Sequence, residues 1–236
     1  MAPKLVRLES APDLVDQVYG RLLDAISEGS LAPGERITQE DIAEQLAVSR
    51  QPVLQALRLL KKDGFVQDAP GRGLQVAPLD ARWTVHVYQV RGALDALAAR
   101  LAAEQRFRLD PLLIERGRKA ARGRNVKAMI DADLAFHDAI YAASGNPLIG
   151  QTAHQHWRHL RRVMGAVLQQ SRQREPVWDE HEAIAGAIAG GDAERAARLM
   201  LDHGRQAAQN LAGRLTGVLA APSREASRPA SRQAHP

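Results

Sequence analysis

Apolar residues recur at helical spacing along most of this chain and alternate only in two short stretches. Between Asp13 and Glu28 they fall at Leu14, Val15, Val18, Leu22, Leu23 and Ile26, which predicts an amphipathic helix. Gly29 ends it, and Leu31-Ala32-Pro33-Gly34 supplies a turn. Thr38 can cap the next helix, with Asp41 three residues on as a weak capping box. Ile42, Ala43 and Leu46 form its buried stripe. After a turn at Ala47-Val48, Ser49 is placed to cap a third helix. Pro52 sits in that helix's first turn, where its missing N–H costs nothing. Val53, Leu57 and Leu60 continue the apolar face until Gly64. Phe65-Val66-Gln67 and Leu74-Gln75-Val76 then read as short strands around the turn Pro70-Gly71-Arg72-Gly73.

Helix, helix, helix and hairpin is the winged helix-turn-helix arrangement, expected over residues 12–78. Pro78-Leu79-Asp80 is the expected linker. From Ala81 to about Leu215 no strand pattern occurs. About six helices are expected there, with breaks near Arg108-Leu109-Asp110-Pro111, Gly123, Ser144-Gly145-Asn146-Pro147, Arg174-Glu175-Pro176 and Gly190-Gly191-Asp192. The longest should run from about Pro147 to Arg172, ~39 Å at the helical rise. The fold class expected is mainly α: a winged helix-turn-helix head and an all-helical bundle over residues 81–215. Residues 1–11 read as a flexible arm. Residues 216–236, rich in Ala, Ser, Pro and Arg, read as a disordered tail.

Aromatics make up only 4% of the 236 residues, so the core must be mostly Leu, Ala, Val and Ile, which favours helices over sheets. There is no Cys, which excludes disulfides and thiolate metal sites. The charged start shows no signal peptide, and no apolar run approaches the ~18 residues a membrane span needs. A cytoplasmic protein without a membrane partner is the expectation. The net charge of +5 misleads about nucleic acid. Residues 1–80 hold nine basic and twelve acidic residues, a net of −3, whereas residues 81–214 hold twenty and fourteen, a net of +6. A DNA-binding role for the head therefore rests on local clustering of Arg50, Arg58, Lys61, Lys62 and Arg72.

The third helix opens Ser49-Arg50-Gln51-Pro52, with polar and cationic side chains at its N-terminal end. A helix that enters a DNA major groove meets base edges with those residues. Arg50 and Gln51 are the candidates for base or phosphate contact; a polar helix start is the plainer alternative. Arg36, Arg58, Lys61 and Lys62 are solvated surface charge or phosphate contacts. Gly71 and Gly73 serve the turn, and Arg72 between them can reach a minor groove or a phosphate.

Asp133 and His137 lie four apart on one helix, and so share a face. His181 and His203 fall on two later helices. Three imidazoles and a carboxylate suit a borderline divalent ion such as Zn²⁺, Ni²⁺ or Mn²⁺. Such an ion should be lost as pH falls through the histidine range near ~6.5. Each residue alone reads as well as a solvated helix position. The set gains weight because each member borders an apolar stripe: Phe136 and Ile140, Ile184 and Ile188, Leu199 and Met200. An unpartnered polar group there is costly.

Together these residues resemble the GntR family of bacterial transcription regulators, in its FCD (FadR-like) subgroup. The head carries Pro33-Gly34-Glu35-Arg36-Ile37, Leu46-Ala47-Val48-Ser49-Arg50-Gln51-Pro52-Val53, Ala56-Leu57 and Leu60-Lys61-Lys62-Asp63-Gly64-Phe65-Val66, with Arg72-Gly73 at the wing tip. The second domain carries Arg91-Gly92-Ala93-Leu94-Asp95, Asp133-x-x-Phe136-His137, Gly145-Asn146-Pro147 and Glu180-His181-x-x-Ile184. The resemblance covers about residues 12–212. It implies a homodimer that binds a double-stranded operator and responds to a small organic acid through residues 81–215. It makes Arg50 the operator-contacting arginine, Arg36 a residue near the DNA backbone and Arg72-Gly73 the wing contact. It makes Asp133, His137, His181 and His203 metal ligands. One departure stands out. Leu54 takes the place of the family's usual arginine, which removes a DNA contact and bears on the operator sequence, while position 54 lies on the exposed side of the helix.

The same resemblance turns attention to Arg91, Arg158, Arg161 and Arg162, because a carboxylate can bridge a metal and a guanidinium. Arg158 and Arg162 are four apart and can share a face; a solvated basic strip is the other reading. His154, His156 and His159 stay unassigned, and Trp157 and Trp178 are expected to pack. Two rival functions remain at this point: a sensor of the metal itself, and a metalloenzyme that activates water at the Asp/His set. Four protein ligands leave fewer open positions than a catalytic site needs.

Overall fold

The computed structural model describes residues 14–168 and 176–220. The expected arm at 1–11 and tail beyond 220 lie outside the described residues, as do 169–172 of the long helix and Arg174-Glu175. The head comprises α1 (Leu14–Glu28), β1 (Arg36–Ile37), α2 (Gln39–Gln45), α3 (Arg50–Lys62), β2 (Val66–Asp68) and β3 (Leu74–Val76). The second domain comprises α4 (Ala81–Glu104), α5 (Pro111–Arg122), α6 (Val126–Ala143), α7 (Pro147–Leu168), α8 (Pro176–Gly190) and α9 (Ala193–Ala220). The fold is mainly α, a winged helix-turn-helix head followed by a helical bundle.

Local chemistry sets the head's boundaries. Thr38 accepts from the Asp41 amide at 3.1 Å and caps α2. Ala47 takes a left-handed conformation (φ 52°), and the Val48 amide returns to the Ala43 carbonyl, closing the turn between α2 and α3. Ser49 has the extended backbone of a cap (φ −69°, ψ 162°), but its hydroxyl accepts no amide, so the expected side-chain cap is not formed. The hairpin differs in two details. Its first strand starts at Val66, because the Phe65 amide still bonds back to the Leu60 carbonyl at the end of α3. A third strand, β1, pairs antiparallel with β3 in the order β1-β3-β2, with Arg36 opposite Gln75. Two residues are too few for alternation to show in a sequence. Val18, Leu22, Val53, Leu57, Leu60 and Phe65 form the head's core.

In the second domain α4 and α9 pack along each other, and α6, α7 and α8 close around a core that includes Phe136, Ile140, Trp157, Leu160, Ile184 and Met200. Asp80 caps α4, Asp110 caps α5 and Asn125 caps α6, which is why the chain turns at those polar residues. Trp157 and Trp178 are buried, as expected. α9 continues to Ala220, five residues beyond the expected end at 215, where Leu215 still packs in the core.

α7 joins the two domains. His159 stacks on Phe65 with ring centroids 4.2 Å apart. Arg158 donates to the Tyr19 hydroxyl, which donates to Asp63 at 2.6 Å. Arg162, buried beside Phe65, donates to the carbonyl of Ala77, the residue just before the linker. Burial pushes its guanidinium down to about 10.

Candidate functional site

Asp133 and His137 stand on α6, His181 on α8 and His203 on α9, and one ligand atom from each lies within 4.8 Å of all the others. Packing of three helices therefore assembles what helical spacing could only pair. The three imidazoles are buried and Asp133 is largely so. Phe136 stacks on His181 at 4.2 Å and Trp178 meets it edge-on at 4.6 Å, so that ring is clamped from two sides.

The hydrogen bonds constrain the tautomers. His203 Nδ1 lies 2.7 Å from Glu180 Oε2, which places its proton on Nδ1 and leaves the Nε2 lone pair facing the cluster. His181 Nε2 is 3.3 Å from His203 Nε2 and 3.5 Å from Asp133 Oδ1. Arg91 Nη2 lies 3.0 Å from His137 Nε2, so that nitrogen accepts. The remaining Nδ1 atoms of His137 and His181 are buried without a hydrogen-bond partner. Burial pushes both rings well below the usual imidazole range, assisted at His137 by Arg91 and at His181 by His203. Neutral rings are the protonation state a divalent ion requires; His203 Nε2 already offers its lone pair, and at His137 an ion would take the place of Arg91 as the partner of Nε2 or meet Nδ1 in the other tautomer. The set fits such an ion: Asp133, His137, His181 and His203 would hold it, and Glu180 would orient His203 from behind.

Glu180 stands in the Glu180-His181-x-x-Ile184 motif, but no role of its own was legible in the sequence. Its carboxylate fixes a ligand tautomer, so Glu180→Gln should lower metal affinity about 10- to 100-fold without unfolding the domain. Isothermal titration with Zn²⁺ reads that change. Equal affinity in the variant would remove Glu180 from the metal's surroundings.

A cavity of about 300 Å³ opens beside the set. Arg91, Asp133, Glu180 and His203 form its inner end; Met129, Met164, Val167 and Trp178 are among its apolar walls. Gln206, Asn210 and Arg214 stand exposed along its rim on α9. Arg91 is there as expected, but it is already engaged. It ion-pairs with Asp95 at 3.0 Å and lies over the Trp157 ring at 3.9 Å. Burial opposes its charge, but Asp95 together with Tyr141, Tyr88 and Asp133 outweighs that and keeps the guanidinium protonated. Tyr141 donates to Asp95 from the other side. Arg158 and Arg162 do not line this cavity. Their guanidiniums reach the head, because positions 158 and 162 lie on the side of α7 that faces α1 and Ala77. The expectation that they meet an effector is therefore corrected to a junction role. Arg161 pairs with Asp131 at 3.0 Å.

On the head, Ser49, Arg50 and Gln51 are exposed at the start of α3. Arg50 pairs with Glu40 of α2 at 3.0 Å, an exposed contact that solvent weakens. Arg36 donates to the carbonyls of Pro70 (2.7 Å) and Arg72 (3.4 Å), bracing the wing turn instead of standing free. Gly71 and Gly73 adopt φ of 92° and 94°, which the turn demands, and Arg72 is exposed between them.

Comparison with known proteins agrees with this division. The family described as "Bacterial regulatory proteins, gntR family" matches residues 14–76, and the FCD domain matches residues 86–206. YdhC of Bacillus subtilis, an HTH-type transcriptional regulator, is 35% identical over 89 residues, covering 38% of this chain and 40% of that protein. LutR of the same organism, also an HTH-type transcriptional regulator, is 30% identical over 212 residues, covering 75% of this chain and 92% of that protein. The solved structure of E. coli McbR/YncC shares the fold with a TM-score of 0.70 at 23% identity, covering 88% of this chain and 100% of that one.

Proposed function

The chain belongs to the GntR family, with an FCD domain, and is a DNA-binding transcription regulator; from that premise we propose that its helical domain holds a divalent metal and senses a small carboxylate metabolite. The relatives it matches are regulators, not enzymes, and the catalytic reading of the Asp/His set falls away with that. The observation that carries the proposal is the convergence of Asp133, His137, His181 and His203, two of which, Asp133 and His203, line a ligand-sized cavity. Arg91, the guanidinium at the cavity's inner end, is already paired with Asp95 behind it, while Asp133 and Glu180 face the same space. That leaves little free positive charge for an acid at the inner end. A bound Zn²⁺, Ni²⁺ or Mn²⁺ would supply it.

Acid binding should therefore depend on metal. Thermal shift with a panel of small carboxylates, before and after dialysis against a chelator, tests this: shifts should occur in the metal-loaded protein alone. Undiminished acid shifts in metal-free protein would overturn the reading. Metal-dependent operator binding without any acid response would make the ion itself the signal. The prior engagement of Arg91 by Asp95 and His137 favours that second reading.

The regulator acts as a homodimer in the cytoplasm, one head per operator half-site. Trp83, Val90 and Leu97 support the dimer: they follow at heptad spacing along α4 and are 52%, 52% and 42% exposed. Among the described residues, no helix is long and apolar enough to cross a membrane. Ser49, Arg50 and Gln51 meet the major groove and Arg72-Gly73 the adjacent backbone, with Arg36 holding the wing in place. Arg50→Ala should weaken operator binding by ~1–3 kcal/mol and leave the helical domain folded. Unchanged binding in a gel-shift titration would remove Arg50 from the interface.

A further inference from the structure

Leu54 occupies a place on α3 that its chemistry does not explain. Arg50, Leu54, Arg58 and Lys61 recur at helical spacing along one exposed stripe, with Gln51 and Gln55 beside it. Leu54 is only partly buried, yet it does not pack against the head's core, as Leu46 and Val48 do. Its inward neighbours Val53, Ala56 and Leu57 fill that core without it. A branched aliphatic side chain thus stands within a cationic strip on the helix whose start faces DNA.

Leucine has no donor or acceptor, so it cannot read the polar edge of any base. The apolar group that a base pair exposes in the major groove is the C5-methyl of thymine. We propose that Leu54 reads a thymine by contact with that methyl, one turn along α3 from the site of Arg50. The operator half-site would then carry a T·A pair next to the pair that Arg50 contacts. This rests on the reading that the N-terminal half of α3 enters the major groove. It differs from an arginine at this position in kind: an arginine would select guanine through N7 and O6, whereas Leu54 selects for a methyl.

The test begins by selecting duplexes from a random pool with the full chain. In the enriched site, each thymine is then replaced singly by deoxyuridine, which lacks only the methyl. At one thymine per half-site, the replacement should weaken binding about fourfold, the fold-change that burial of one methyl corresponds to. At that position Leu54→Ala should bind thymine and uracil equally. Its overall salt dependence should stay unaltered, since no phosphate contact is lost. Uracil tolerated at every position, or full thymine preference kept by Leu54→Ala, would overturn the assignment. If no duplex is enriched, the groove-reading role of the head fails as well. Enrichment without methyl sensitivity removes Leu54 alone. Circular dichroism of Leu54→Ala should match the parent, because the side chain contributes nothing to the core.

Discussion

His181→Ala should abolish stoichiometric metal binding and lower thermal stability in the same step. The fold holds the His181 ring with Phe136 stacked on one face and Trp178 against its edge. Its Nε2 faces both His203 and Asp133. With free ion at about a thousand times its dissociation constant, metal bound only to the folded state stabilises it by ~4 kcal/mol. Chelation of the parent protein should therefore remove most of the stability that the variant lacks. Whatever difference remains belongs to the small cavity the substitution leaves. Plasma emission spectrometry reads the stoichiometry and calorimetry the melting point. Unchanged metal content in the variant would strike His181 from the ligand set.

Acid should act in the same direction. Burial holds the His137 and His181 rings neutral in the folded protein to well below the ordinary imidazole range. The unfolded chain takes up protons at these positions from about pH 6.5 downward. The metal-free protein is then at full stability from these two groups above about pH 6.5 and loses it as pH falls. The depressed values also mean that protons compete with the metal only below the range that isolated histidines would suggest.

Gly117→Ala is the second large effect, and nothing in the pattern of apolar residues announces it. A Cβ at Gly117 on α5 would lie 2.0 Å from ring carbons of Trp178, which is buried and has no room to withdraw. Either the ring moves, which shifts His181 beside it, or α5 separates from α8. Overpacking of that kind costs about 3 kcal/mol or more, roughly a 10 °C fall in Tm for a protein of this size. Gly186→Ala on α8 is the matched control. An added Cβ there meets nothing within 4 Å, so relief of glycine's backbone freedom should stabilise the helix by about 0.5–1 kcal/mol. Equal melting points for the two variants would show that the α5–α8 contact is looser than described.

Much of the architecture is written in local chemistry. Helical spacing of apolar residues, the Thr38 cap, the breaks at Asp110-Pro111 and Gly123, and the glycine-rich wing turn are short-range signals. They identified the helices to within a few residues. The Asp133 and His137 pair was legible for the same reason, since a four-residue step on a helix puts two side chains on one face. The Arg91–Asp95 ion pair has that spacing too, yet only its burial shows that Arg91 is neutralised in place. The partners of Arg158 and Arg162 had no local signal. Their direction depends on how α7 is rolled between the cavity and the head, and that roll is set by the packing of Trp157, Leu160 and Val163 against other helices.

Periodicity, caps and turns thus specify which segments are helix or strand and which residues each places on a common face, because those are interactions across a few residues. Only the folded arrangement decides that three imidazoles from α6, α8 and α9 converge with Asp133, that Glu180 orients His203, and that a tryptophan ring occupies the space a Cβ would need at position 117. Those outcomes follow from close packing between elements far apart in the chain, where ångström-scale fit decides which groups meet.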